Sequence, residues 1–120
     1  MTGAAIVRWE ARGTVVLAVH GAFDGASAWA LRIEMEDSPA RDFVVDLTHA
    51  EEAFDFAAGV LAAWARRWER LKRVRVKPGT REQARLLVGH GLDVVQDGET
   101  VPAPALVPLL AGPPSSGVSA

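Results

Sequence analysis

One histidine, His49, lies between positions 46 and 59, near Glu51, Glu52 and Asp55. An imidazole near carboxylates is the raw material of acid–base catalysis or of a metal site. A metal needs converging ligands, however. His20, His49 and His90 lie far apart, and no Asp or Glu joins them at a ligand-like spacing. A nucleophile needs a base in hydrogen-bond reach and a third group to orient it. Ser27 and Thr80 are accounted for as helix-start residues, Ser38 follows a helix, and Thr48 is the lone hydroxyl between positions 46 and 59. With no cysteine, disulfides, thiolate catalysis and Cys-ligated zinc are excluded. Neither a G-x-G-x-x-G run nor a P-loop is present. No catalytic residue, metal set or cofactor is therefore assigned. The acids around His49 read as a solvated loop, and a ligand-binding or enzymatic α/β domain built on them is the weaker alternative.

A second constellation is basic. Arg66, Arg67, Arg70, Lys72, Arg73, Arg75 and Lys77 crowd one segment, interleaved with Trp64 and Trp68. Cations among aromatics can track a single-stranded nucleic acid. The tryptophans fall on an apolar helical stripe, so core plus a solvated basic face is the better reading. Such a face would steer an acidic partner. The whole chain carries a formal charge of −2, which gives no general pull toward nucleic acid. No apolar run approaches the roughly 20 residues of a membrane span, so no membrane insertion is expected. The first residues lack the basic start and long apolar run of a signal peptide, and a cytoplasmic location is the expectation.

These residues must be held by a scaffold of 120 residues, one domain by length. Residues 1–100 read as that domain. Residues 101–120 form an uncharged tail with five of the seven prolines, extended or without a fixed structure, whose Leu106, Val107, Leu109 and Leu110 could lie across the domain as a clasp. Ala5 to Glu10 and the β-branched run Thr14 to His20 read as a hairpin turning at Ala11 to Gly13. Gly21 to Gly25 breaks the second strand. Asp24 or Ser27 then caps a helix to about Met35, with Ala28, Leu31 and Met35 inward and Trp29 and Ile33 on its flank. Phe43 to Leu47 is a buried strand. A long helix follows from about Ala57 to Leu71, with Asp55 as its expected N-cap and Val60, Trp64, Trp68 and Leu71 as its buried stripe, widened by Leu61 and Ala65. Lys72 to Lys77 alternates as a strand, and Thr80 with Gln83 has capping-box spacing. A third helix ends at Gly89 to Gly91, and Leu92 to Val95 is a last strand. The predicted order is β-β-α-β-α-β-α-β: an α/β domain with a mixed, mainly parallel sheet of about five strands that starts with a hairpin. In such sheets the working surface lies where strands end and helices begin, here Asp46 to Gly59.

This order and its punctuation resemble the STAS domain, which includes bacterial anti-sigma factor antagonists and cytoplasmic domains of sulfate transporters. The likeness rests on VVLAVHGAFDGASAWAL with Gly21 and Asp24, on FVVDLTHAE with Asp46, Leu47 and Thr48, on FDFAAGVLAAW, and on KPGTREQARLLVGHGLD. It spans about Thr14 to Val95. The resemblance implies a non-enzymatic regulatory domain that binds a protein partner, an anti-sigma or kinase-like regulator. An alternative within the family is the STAS subunit of a bacterial ABC transporter for lipids or anions. It leaves room for a homodimer. The partner-binding residues it implies are Gly21, Asp24, Asp46, Thr48, Asp55, Phe56, Ala57, Ala58 and Gly59. In the antagonists a serine at this helix start accepts phosphate. Here the matching position is Ala57 when aligned on Gly59 and Phe56 when aligned on Asp55, and neither carries a hydroxyl.

Overall fold

The computed structural model describes residues 5–95 and 101. β1 (Ala5–Ala11) and β2 (Thr14–Phe23) form the expected antiparallel hairpin. α1 (Gly25–Asp37), β3 (Asp42–Asp46), β4 (Ala50–Ala53), α2 (Asp55–Trp68), β5 (Arg73–Lys77), α3 (Arg81–Gly89) and β6 (Asp93–Val94) follow. The strands lie in the order β1-β2-β3-β5-β6, with β4 on β2, and every pairing except the hairpin is parallel. The mixed, mainly parallel sheet is as predicted, with six strands among the described residues where about five were expected.

β4 is the addition. It continues the line of β3 along one edge of β2. β3 pairs with Thr14 to Ala18, and after the turn Leu47 to His49 the chain pairs again with Gly21 to Phe23. Gly21 therefore does not end β2. It takes φ +100° at an irregularity between Gly21 and Ala22, a conformation that glycine adopts without steric cost, and the strand runs on to Phe23. Burying the otherwise polar AEEA run is not required, because Glu51 and Glu52 point to solvent.

The main core lies between the sheet and all three helices. Val15, Leu17, Val19, Phe43, Val45, Val74 and Val76 face Leu31, Met35, Leu61 and Leu87. α1 buries Ala28, Leu31 and Met35 as its spacing predicts. α2 differs from its predicted stripe. It fully buries Ala57, Ala58, Leu61 and Ala62; the predicted Val60, Trp64, Ala65 and Trp68 pack against the same core half-buried, and Leu71 is 69% exposed. The helix stops at Trp68, so Leu71 lies past its end and cannot share its inner face. Small alanines at that inner face let the helix backbone sit close to α1 and the sheet.

The basic segment is dispersed by this packing. Lys72 Nζ donates to the carbonyls of Met35 and Ser38, both at 2.6 Å, and lies over the Phe43 ring. It thus satisfies free carbonyls at the end of α1. Arg75 pairs with Asp42 at 3.6 Å. Trp64 packs edge-on to Trp29, with the Arg32 guanidinium 4.9 Å from both rings.

Gly79 marks a close approach. A Cβ there would lie 2.9 Å from the Leu47 carbonyl oxygen and from Thr48 Cα, both backbone atoms that cannot swing aside. Replacing Gly79 with alanine should destabilise the domain by about 1–3 kcal/mol in urea unfolding, the usual cost of overpacking. A change within about 0.5 kcal/mol, the range of an indifferent surface site, would show that this packing is looser than described.

Candidate protein-docking surface

Two chain segments meet at the carboxyl end of β2 and β3. The first is the turn into α1. Asp24 is the N-cap of α1, and its Oδ1 accepts from the Ser27 backbone N–H at 3.0 Å. Ser27 Oγ in turn accepts from the Asp24 backbone N–H at 2.8 Å and donates to the Ala22 carbonyl at 3.0 Å. The two predicted alternatives, Asp24 or Ser27, thus act together as a reciprocal cap. At α3, by contrast, Thr80 caps Gln83, but the Gln83 side chain returns to the Gly79 N–H rather than to Thr80.

The second segment runs from Asp46 to Gly59. Asp46, 7% exposed, accepts from both the Thr48 N–H (2.9 Å) and the Thr48 hydroxyl (2.7 Å). This local ring of bonds turns the chain between β3 and β4. Just beyond it the His49 ring stacks on His20, with centroids 4.8 Å apart and planes 9° from parallel. Among the described residues His49 has no bond to Glu51, Glu52 or Asp55, and no group of three or more His, Cys, Asp or Glu is placed to hold a metal. The described cleft of about 280 Å³ lies elsewhere, between the end of α2 and β5, lined by Arg66, Glu69, Arg73 and Asp93 among others.

At the end of β4 the Phe54 N–H donates to the Phe23 carbonyl at 3.0 Å. That bond ties the start of α2 to the start of α1. It also makes Phe54, not Asp55, the N-cap of α2, and no side chain caps the helix. Asp55 is instead the first helical residue, where a carboxylate suits the positive helix end. Its Oδ1 lies 2.9 Å from His90 Nε2 at the end of α3. The Asp55 side chain remains 81% exposed.

Of the nine predicted contact residues, the structure brings all to this end of the sheet but does not expose them equally. Thr48, Asp55 and Phe56 are exposed, Phe56 at 71%. Gly21 and Asp24 are half-buried, and Asp46 is buried. Ala57 and Ala58 are fully buried on the inner face of α2, so their side chains cannot meet a partner. Gly59 lies beneath His90, whose Cε1 would be 3.3 Å from an added Cβ. Sequence reasoning missed Phe54, 43% exposed, and the His90 contact. An aromatic pair at alternate positions across a helix start, Phe54 and Phe56, is the signal that could have found the first. Phe56 also reaches across to α1: its ring would be 3.3 Å from a Cβ at Gly25. The two helix starts therefore present one surface, with an apolar ring between acids.

No protein-family model matches this chain, and no curated protein matches it. Solved structures do. A serine-to-glutamate variant of RsbS from Moorella thermoacetica matches with a TM-score of 0.55 and 20% identity, covering 73% of this chain and 79% of that one. The anti-sigma factor antagonist SpoIIAA, in its unphosphorylated form, matches with a TM-score of 0.60 and 14% identity, covering 77% of this chain and 88% of that one. This chain has the STAS fold. At these identities the likeness carries the fold, and the role of the STAS-like surface must be argued from its own residues. No described helix is long and apolar enough to cross a membrane.

The Asp46 turn sets the geometry of that surface. Asp46→Ala should lower stability by about 1–2 kcal/mol, the cost of removing a buried hydrogen-bond acceptor from its donors. Asp46→Asn, which keeps an acceptor at the same place, should lose less than half as much in the same urea titration. Equal losses would mean that the turn does not depend on these bonds.

Proposed function

We propose that this chain is a non-enzymatic regulatory domain that works by docking to a protein partner, in the manner of an anti-sigma factor antagonist. The fold likeness to RsbS and SpoIIAA supports the class of function. The observation that carries it is Phe56, 71% exposed at the second position of α2 and lying against the start of α1. A large exposed ring on a surface fixed by main-chain bonds is suited to anchor a partner, since aromatic anchors dominate interface energetics.

The surface carries a fixed charge rather than a removable one. A helix start favours an anion, which is why a phosphate placed there can act as a signal. Here Asp55 already supplies a carboxylate at that end, and the segment Phe54 to Gly59 has no hydroxyl to modify. Of the two alignments, position 57 is buried and position 56 is exposed, so an external kinase would have reached only the site now held by Phe56. Docking by this domain is thus constitutive at this surface, with regulation residing in the partner.

The test is co-purification of partners from the native cell with tagged variants. Phe56→Asp should weaken recovery at least tenfold while the thermal midpoint stays at that of the parent. Leu71→Asp, also exposed but past the far end of α2, should leave recovery intact. Recovery should not change when ATP is supplied or depleted. Full recovery with Phe56→Asp, or phosphate found at Thr48 or elsewhere between Asp46 and Gly59, would remove the proposal.

A further inference from the structure

The seam between α1 and α2 is lined by apolar side chains that the core leaves uncovered. On α2, Phe56, Val60, Trp64 and Arg67 fall at i, i+4, i+8 and i+11, which is one flank of the helix. Two contacts show that this flank faces α1. Phe56 stands against Gly25, and Trp64 packs edge-on to Trp29. Trp29 is 54% exposed and Ile33, one turn further along α1, is 45% exposed. With Phe56 they make a continuous apolar strip along the seam, and contiguous exposed apolar side chains mark interaction sites.

The far end of this strip is cationic. Arg32 lies over both tryptophan rings and is already paired with Glu36 at 3.0 Å. Arg67, and Arg70 just past the helix end, are exposed and form no ion pair among the described residues. The remaining acids of both helices turn elsewhere. Glu34 lies roughly 160° round α1 from Arg32, and Asp37 roughly 140°, at about 100° per residue. Glu69 lines the cleft on the other flank of α2, and Asp55 is bonded to His90 there. An occupant must therefore bring apolar side chains to Trp29, Ile33 and Trp64, and carboxylates to Arg67 and Arg70.

We propose that this strip takes an acidic amphipathic helix of the protein partner. The proposal rests on the docking function above and extends it from the helix starts along the seam. An apolar stripe on the incoming helix would seat between α1 and α2, and its flanking acids would fix its direction by reaching Arg67 and Arg70. Trp and Arg side chains are the usual strong contacts of such an interface. Two free cations are too few for the continuous basic track that a nucleic acid requires.

Three synthetic helical peptides of about 18 residues, ample for the roughly 17 Å from position 56 to 67 at 1.5 Å per residue, test this. They share one leucine stripe and differ only in flanking Glu, Gln or Lys. In nuclear magnetic resonance titrations of the full chain, the Glu peptide should shift the indole N–H resonances of Trp29 and Trp64 and leave Trp9 in place. It should bind at least tenfold tighter than the other two. The variant Arg67→Glu with Arg70→Glu should keep the parent's thermal midpoint and prefer the Lys peptide. Equal binding of all three peptides, or shifts that spare Trp29 and Trp64, would overturn the inference. So would the same two resonances moving with a single-stranded oligonucleotide, or with concentration of the chain alone, which would make a second copy the occupant. In partner co-purification, recovery lost with Phe56→Asp but kept with the double variant would overturn this inference and leave the docking function standing. Recovery kept with both would remove both.

Discussion

The far half of β2 is the constraint on which the proposed recognition surface depends. Along one edge this strand holds β1 from Thr14 to His20. Along the other it holds β3 first and then, beyond the irregularity at Gly21, β4. The second parallel ladder ends on the bond from the Phe54 N–H to the Phe23 carbonyl. Phe23 leads into Asp24 and α1, and Phe54 leads into Asp55 and α2. One pair of strands thus fixes the relative position of two helix starts. Without β4 the residues from Leu47 to Phe54 would be a loop of variable shape, and ordering it on binding would cost conformational entropy.

Around that ladder the acidic side chains bond to their neighbours. Asp24 is used by Ser27, Asp46 by Thr48, and Asp55 by His90. Each carboxylate has a local partner, and none converges with another on a shared point. That distribution suits a scaffold for recognition. Acid–base or metal chemistry would need the groups to face one site. The exposed side chains that the proposed surface would offer a partner are Thr48, Phe54, Asp55 and Phe56.

Much of this was legible in the sequence because the strongest signals are local. The apolar runs around Val15 to Val19 and Phe43 to Val45 can only be central strands, and Ala28, Leu31 and Met35 fall on one helical face. The caps at Asp24 and Thr80 also follow from residue type and spacing. β4 was not legible. Ala50 to Ala53 has neither alternation nor β-branched residues, and it is a strand only because β2 offers a free edge there. The same tertiary bond moved the N-cap from Asp55 to Phe54. The stripe of α2 was legible in part: Leu61 is buried and Val60, Trp64, Ala65 and Trp68 pack against the core, but close packing gives the innermost places to Ala57, Ala58 and Ala62, which tryptophans outweigh in any hydrophobic pattern. The clasp expected of residues 101–120 lies, except for Val101, outside the described residues.

The two helix starts together form the proposed partner-facing surface. Hydrogen exchange measured on the domain alone and on its purified complex probes this directly. Amides of residues 21–25 and 50–58 should exchange more slowly in the complex, and those of residues 91–93, which line the cleft beyond the other end of α2, should not change. Slowing confined to residues 91–93, with the two helix starts unaffected, would contradict it.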